Sequence, residues 1–259
     1  MADRPNPAQA SLSALRALRV ATPDPTGTRT VDHTALGMAL DRIATDGPST
    51  LPSMRDELDA YISAMSAVDP DSSTSAECQA FWINVYNAGA LRLAADAFSD
   101  ASSSVLRVPG AFSSPFIIVD GEQMSLDDVE HGKIRRFKDP RVHGALVCGS
   151  VSCPSLRAEP FTGHDLDRQL DTQMRAFLDG GAAVYDIRNN DLALSRIFLW
   201  YGTDFVRPDR MPLLGTAQKD LVAATVAWWL PQDVQRLVWM SRPKVAFQNY
   251  DWRLGCSVS

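Results

Sequence analysis

One short stretch concentrates the residues able to do chemistry. The run Asp139-Pro-Arg-Val-His-Gly-Ala-Leu-Val-Cys-Gly-Ser-Val-Ser-Cys-Pro154 brings His143, Cys148, Ser150, Ser152 and Cys153 within eleven positions. The thiolate is the form in which cysteine attacks an electrophile, and a neighbouring imidazole is a common way to generate it. Val142 to Val147 is apolar and reads as a central strand that delivers Cys148 onto a loop of small residues. Backbone amides from Gly149 to Ser152 on such a loop can form an anion nest or an oxyanion hole. The plainer alternative is a buried cysteine that packs as a small hydrophobe.

The partners of that cysteine stay open at this level. His143 lies five positions before Cys148, and an odd separation along a strand sends the two side chains to opposite faces. Direct pairing therefore requires a bulge, or a Cys148 already beyond the strand. His131, beside Glu130 on the preceding helix, is a second candidate base; its alternative is a solvated helix histidine. His131, His143, Cys148 and Cys153 are also the ligand types of tetrahedral zinc, although their spacings match no tight zinc motif. A reversible disulfide between Cys148 and Cys153 is a further possibility, with Pro154 holding Cys153 extended. Arg135 and Arg136 can fork a carboxylate or phosphate, or end a solvated helix where cations favour the dipole. Arg135, Gly149, Ser150, Ser152 and Cys153 thus form the candidate substrate-binding set. Cys78 and Cys256 have no chemical context.

Helices must position this stretch. Helical spacing predicts Gln9 to Val20, Asp32 to Ala44, Leu51 to Val68 and Ala76 to Phe98, the last capped by Ser75. Within it, Asn84 and Asn87 stand three apart on one face of the apolar run Phe81-Trp-Ile-Asn-Val-Tyr-Asn-Ala88. Buried amides need partners. Either they bond neighbouring backbone and fix the packing, or one of them reaches the Cys/His site. Strands are expected at Ser104 to Val108 and Pro115 to Val119, the latter turning at Asp120-Gly121 into Glu122 to Met124. Ser125-Leu-Asp-Asp128 reads as a capping box opening a helix to about Phe137. Asp165 to Leu178 is helical. A hairpin joins Ala183 to Ile187 and Leu192 to Ser195, and helices follow at Phe198 to Phe205, Thr216 to Trp229 and Pro231 to Trp239, before an extended tail, Lys244 to Asp251. Phe198-Leu-Trp-Tyr201 with Asp204-Phe205 reads as core with one polar anchor, and Tyr250-Asp251-Trp252 as a tail dock. Residues 1–30 form a flexible lead-in and 31–259 one globular domain. The class is α+β, mainly helical around a small antiparallel or mixed sheet.

Composition narrows the partners. With 25 basic and 31 acidic residues among 259, the net charge is -6, so broad electrostatic binding to nucleic acid or an anionic membrane is not expected. The N-terminus lacks a signal-peptide core, no apolar run approaches a membrane span, and four cysteines show no framework spacing. A cytoplasmic protein with reduced thiols is the expectation.

The motifs together resemble a known family. Phe81-Trp-Ile-Asn-Val-Tyr-Asn-Ala88, Val129-Glu-His131, Asp139-Pro-Arg-Val-His143, Ala145-Leu-Val-Cys148-Gly-Ser-Val-Ser-Cys153-Pro154, Ser195-Arg-Ile-Phe-Leu-Trp200-Tyr-Gly-Thr-Asp204-Phe205 and Tyr250-Asp-Trp252 resemble, in order, the uncharacterised family numbered 547 among domains of unknown function. The resemblance spans roughly residues 50 to 254. Fusions of some relatives to glutaredoxin-like modules imply thiol chemistry, and coiled-coil segments in plant relatives imply a scaffold role. The family usually carries an aromatic residue where Gly144 stands here, which implies a wider site or a looser strand. Gly255-Cys256 replaces the family's usual polar ending.

The functional expectation is a thiol-dependent enzyme performing acyl transfer, or amide or thioester hydrolysis, on a small-molecule or peptide substrate. Cys148 is its nucleophile, His143 or His131 (with Glu130) its base, and Asn84 or Asn87 orients the imidazole or donates to an oxyanion. This reading requires no metal or organic cofactor. Its rival is a non-catalytic ligand- or protein-binding domain in which Asn84, His143 and Cys148 form a buried polar cluster.

Overall fold

A computed structural model describes residues 12, 15–99, 104–209, 217–255 and 258. Three helical pieces open the domain: α1 (Thr34–Asp46), a 3-10 turn at Pro48–Met54 that breaks the expected long helix at Pro52, and α2 (Arg55–Met65). The third helix, α3 (Ser75–Ser99), is the central post. It is buried on nearly every side from Cys78 to Ala97, as a helix apolar all round must be. Its cap is Thr74 rather than Ser75: the Thr74 hydroxyl accepts from Glu77 N at 3.2 Å.

The first hairpin forms as its turn chemistry requires. β1 (Ile117–Val119) pairs antiparallel with β2 (Glu122–Met124), and Asp120 (φ 48°) and Gly121 (φ 74°) are both left-handed, the signature of a type I′ turn. Ser125 and Asp128 then close a reciprocal capping box over α4 (Leu126–Asp128). The helix does not continue as α. It widens into a π turn at Val129–Lys133 and tightens into a 3-10 turn at Ile134–Phe137, where left-handed Lys138 stops it. Wide turns of this kind recur at functional sites. Part of the N-terminal lead-in lies against this segment: Arg16 forks Asp128 and Ser125, and Lys133 donates to Ala21 O at 2.8 Å.

Two expected strands are absent. Ser104 caps a 3-10 turn, Val105–Arg107, instead of starting a strand. Val142 to Val147 is not a strand either: Asp139 caps a 3-10 turn over Pro140–Gly144, and the following residues are irregular. The reason is local. Asp-Pro sets a turn start, and the buried carbonyl of Ala145 and amide of Val147 are satisfied by the side chain of Asn87, not by a neighbouring strand.

The chain continues through α5 (Leu166–Phe177), a π turn at Leu178–Ala182, and β3 (Ala183–Asp186) paired antiparallel with β4 (Asp191–Leu194). Next come α6 (Ile197–Trp200), α7 (Gly202–Val206), α8 (Lys219–Val226) with a 3-10 extension at Ala227–Trp229, and α9 (Gln232–Ser241). The tail strand β5 (Lys244–Phe247) lies parallel to β4, making the three-stranded sheet mixed. One hydrophobic cluster surrounds α3 and a second joins β4, α6, α7, α8 and α9; α5 spans them, giving Leu166 and Leu170 to the first and Met174 and Phe177 to the second. The mainly helical α+β class is as the sequence indicates. Among the described residues no helix is long and apolar enough to cross a membrane.

Candidate active site

Cys148 leaves the buried segment where Gly149 adopts φ 72°. A Cβ there would come within 3.0 Å of Val105 and 3.3 Å of Ala94, so glycine is required both for the turn and for the close approach. Cys148 is partly exposed as a residue, and its thiol is surrounded by donors. Its sulfur is 3.0 Å from Ser150 Oγ and 3.2 Å from Tyr250 Oη, which are themselves 3.1 Å apart. Cys153 returns on the same loop, its Sγ accepting from Cys148 N at 2.7 Å.

These contacts hold the Cys148 thiol at about 7, below its ordinary value. The hydrogen bond from Cys153 is the largest influence; burial opposes it, and the Ser150 and Tyr250 hydroxyls and the Ser150 amide add to it. The counterpart is Tyr250, whose own ionisation is pushed well up by burial and by the adjoining sulfurs. Tyr250 therefore stays a neutral donor.

The closing tail builds half of this arrangement. Val151 N donates to Arg253 O, Ser152 N to Asp251 O, and Gly255 N to Gly149 O. Asp251 N in turn donates to Ser152 Oγ at 2.9 Å. Ser152 and the amides of Val151 and Ser152 are thereby occupied by the tail, and Cys153 N by Ser150 O, so the expected open nest across Gly149 to Ser152 is not formed by them. Above the strap, Tyr250 and Trp252 pack with half-exposed Trp200 at ring separations of 4.9 and 5.7 Å.

The histidines belong to a second, adjoining cluster. His143 Nε2 lies 2.9 Å from Asp204 Oδ2, and its ring stacks on Tyr201 at 4.0 Å. Asp204 also receives a two-pronged ion pair from Arg135, at 2.7 Å for each bond. Those two cationic or donor partners hold the Asp204 carboxyl well below the usual range against its burial. Arg135 Nη1 reaches His131 Nδ1 at 3.1 Å, and since guanidinium only donates, Nδ1 is the acceptor. Burial pulls the His131 pKa down to about 4, so it is neutral near pH 7. Glu130 accepts from Tyr86 at 3.3 Å. Burial pushes its carboxyl up, but His131, His143, the Tyr201 hydroxyl and Arg135 bring it below its ordinary value.

The expected roles are accordingly redistributed. Among the described residues, the Cys148 sulfur has neither His143 nor His131 as a hydrogen-bond partner. Asn84 and Asn87 do not orient an imidazole: Asn84 clasps the backbone of Phe161 (2.8 and 2.9 Å) and Asn87 that of Ala145 and Val147 (3.0 Å each). Arg135 is buried and committed to Asp204, neither a substrate clamp nor a solvated helix end, and His131 keeps only 12% of its side chain exposed. Among the described residues no three His, Cys, Asp or Glu side chains are grouped to hold a metal ion. Gly144 does not widen the site: a Cβ there would meet the Met174 backbone at 2.9 Å, so it marks the tight seat of α5. Asp204, Tyr201 and Tyr250 are site residues that sequence reasoning assigned to packing. The lone acid in an aromatic run was their one visible signal. Cys256 lies outside the described residues.

Residues 70–178 match the profile of a family described as "Protein of unknown function, DUF547". The matched span holds α3, the Glu130–His143 segment and the cysteine loop, while Tyr201, Asp204 and Tyr250 lie beyond it. The resemblance read from the motifs is thus shown over that span. No curated protein and no solved structure matches the chain.

Proposed function

We propose that this protein is a cysteine-dependent acyl-transfer enzyme acting on thioesters, with Cys148 as the nucleophile. The observation that supports this is a thiol held at about 7 by hydroxyl, thiol and amide donors, with no imidazole among its partners. A thiolate already present needs no general base. Its attack on a thioester carbonyl forms the Sγ–C bond; collapse breaks the old C–S bond and releases a second thiolate. Neither event requires a proton to be delivered. An amide differs, because its leaving nitrogen must be protonated by a positioned acid. Thioesters therefore suit this site better than amides, and transfer of the acyl group to a thiol or amine suits it better than hydrolysis.

In this reading His143, Asp204, Arg135, His131 and Glu130 are positioning groups. They fix the turn that leads to the nucleophile, while Asn87 pins Ala145 and Val147 just before it. A second reading, a non-catalytic binding domain, draws on the burial of His143 to 4% exposure within the ion-paired cluster. Incubation with small acyl thioesters separates the two. We expect a covalent acyl adduct on Cys148 by intact-mass and peptide analysis, absent in a folded Cys148→Ser variant. A folded wild-type protein that acquires no adduct from any thioester would displace the enzyme reading in favour of the binding domain.

A further inference from the structure

We infer that Cys148 and Cys153 are a working dithiol: Cys153 resolves a mixed disulfide formed at Cys148 with a small, uncharged disulfide, giving the site a thiol–disulfide exchange activity. The inference rests on the reading of Cys148 as a thiolate nucleophile and extends it to a second substrate class.

The loop geometry carries the argument. Cys153 Sγ is 2.7 Å from Cys148 N, one backbone bond of about 1.46 Å from the Cα that bears the other thiol. The return is fixed by a turn, Cys153 N to Ser150 O at 3.0 Å, and by left-handed Gly149. The tail then clamps the loop from outside through Val151 N to Arg253 O and Gly255 N to Gly149 O. The Cys153 side chain also hydrogen-bonds the Cys148 sulfur, so a pinned backbone holds the two sulfurs as neighbours, which a disulfide between them requires. Both cysteines are free thiols on partly exposed residues of a surface loop, the setting in which a small reagent reaches a thiol. Buried Cys78, whose thiol burial pushes up to about 12, is not a competing nucleophile. The donors around Cys148 are a thiol, two hydroxyls and a backbone amide, none of them cationic, and the chain carries a net charge of -6. An uncharged disulfide therefore fits better than an anionic one.

The exchange balances as follows. The Cys148 thiolate attacks one sulfur of the disulfide; a new S–S bond forms, the old one breaks, and the first thiol leaves as thiolate and takes a proton from water. Cys153 gives its proton to water and attacks Cys148 Sγ. The Cys148–Cys153 bond forms and the second thiol departs. The dithiol has lost two electrons and the small disulfide has gained them. An external dithiol returns the protein to its starting state.

Bis(2-hydroxyethyl) disulfide is the probe. Native protein is exposed to it, quenched in acid, and read by intact mass and peptide mapping. We expect wild-type protein to lose two hydrogens, map to a Cys148–Cys153 bridge, carry no adduct, and recover with a dithiol. Cys153→Ala and Cys153→Ser, checked for folding by circular dichroism, should instead retain the hydroxyethylthio adduct on Cys148 at least tenfold longer. A wild-type adduct on Cys148 that persists as long as in those variants would overturn the inference, and the wild-type product decides this even if neither variant folds. Parallel alkylation with iodoacetamide keeps the failures apart. Rapid Cys148 alkylation with a midpoint near 7, alongside a persistent adduct, removes the dithiol inference alone. A Cys148 that reacts with neither reagent until unfolded removes both.

Discussion

Four donors meet at the Cys148 sulfur: three come from loop residues two and five positions later, the Ser150 hydroxyl and amide and the Cys153 thiol, while the fourth, Tyr250, arrives from 102 residues away. The pH behaviour follows. Alkylation of Cys148 should rise with a midpoint near 7, below the roughly 8.5 of a free cysteine; Tyr250→Phe should move it upward, measured as rate against pH. A group whose folded pKa is depressed adds stability above its unfolded pKa and loses that contribution as pH falls through the folded value. Cys148→Ala should therefore cost more stability at pH 9 than at pH 6, read by denaturant melts. Asp204 obeys the same sign in a more acidic window, its contribution present above about 3.9 and lost as pH falls further. Asp204→Asn strands the buried Arg135 guanidinium without its anion. A loss of about 3–5 kcal/mol is expected on the scale of broken buried pairs. Loss below 1 kcal/mol in urea unfolding would show that the cluster is not holding the fold.

Helix α3 acts at the next scale as a rack of side chains that substitute for missing backbone partners. Asn84 and Asn87, three residues apart, each grip a separate loop as a strand edge would. Removing one leaves a buried carbonyl and a buried amide unpaired at once. Asn87→Ala should cost about 2–4 kcal/mol and slow Cys148 alkylation as Val147 shifts, while Asn84→Ala should spare that rate because Asn84 holds Phe161 instead. The 3-10 turn over Pro140–Gly144 is seated on α5 by the absence of a side chain at Gly144. Gly144→Ala pushes against backbone that cannot retreat, and about 1–3 kcal/mol of destabilisation is the expected overpacking cost. A neutral result in thermal melts would mean α5 slides readily.

The molecule as a whole places its chemistry where its two cores meet. His143 from the first half stacks on Tyr201 and bonds Asp204 from the second, and the cysteine loop from the first is strapped by the tail that follows β5. Tail and loop also meet in two isolated bridges, Ser150 with Leu254 antiparallel and Leu156 with Val258 parallel. Deleting residues 249–259 should therefore raise the Cys148 midpoint toward the free value while leaving far-UV circular dichroism nearly unchanged, since no helix lies among the described residues of the segment. A large loss of helical signal would instead assign the tail to the core.

Much of this architecture is written locally. The positions of α1, α3, α5 and α9, the Asp120-Gly121 turn and the Ser125–Asp128 capping box follow from periodicity, capping and turn chemistry, each decided within a few residues. The cysteine loop was legible for the same reason: its residue types are adjacent. Apolarity at Val142 to Val147 announced burial but could not announce a strand, because that needs a partner strand, and Asn87 took the partner's place from 58 and 60 residues away. The pairing of His143 with Asp204 spans 61 residues and that of Cys148 with Tyr250 spans 102. A sequence states which groups are available. Only the packed chain selects which of them share a hydrogen bond, since desolvation and hydrogen bonding at 3 Å depend on distances that separation along the chain does not encode.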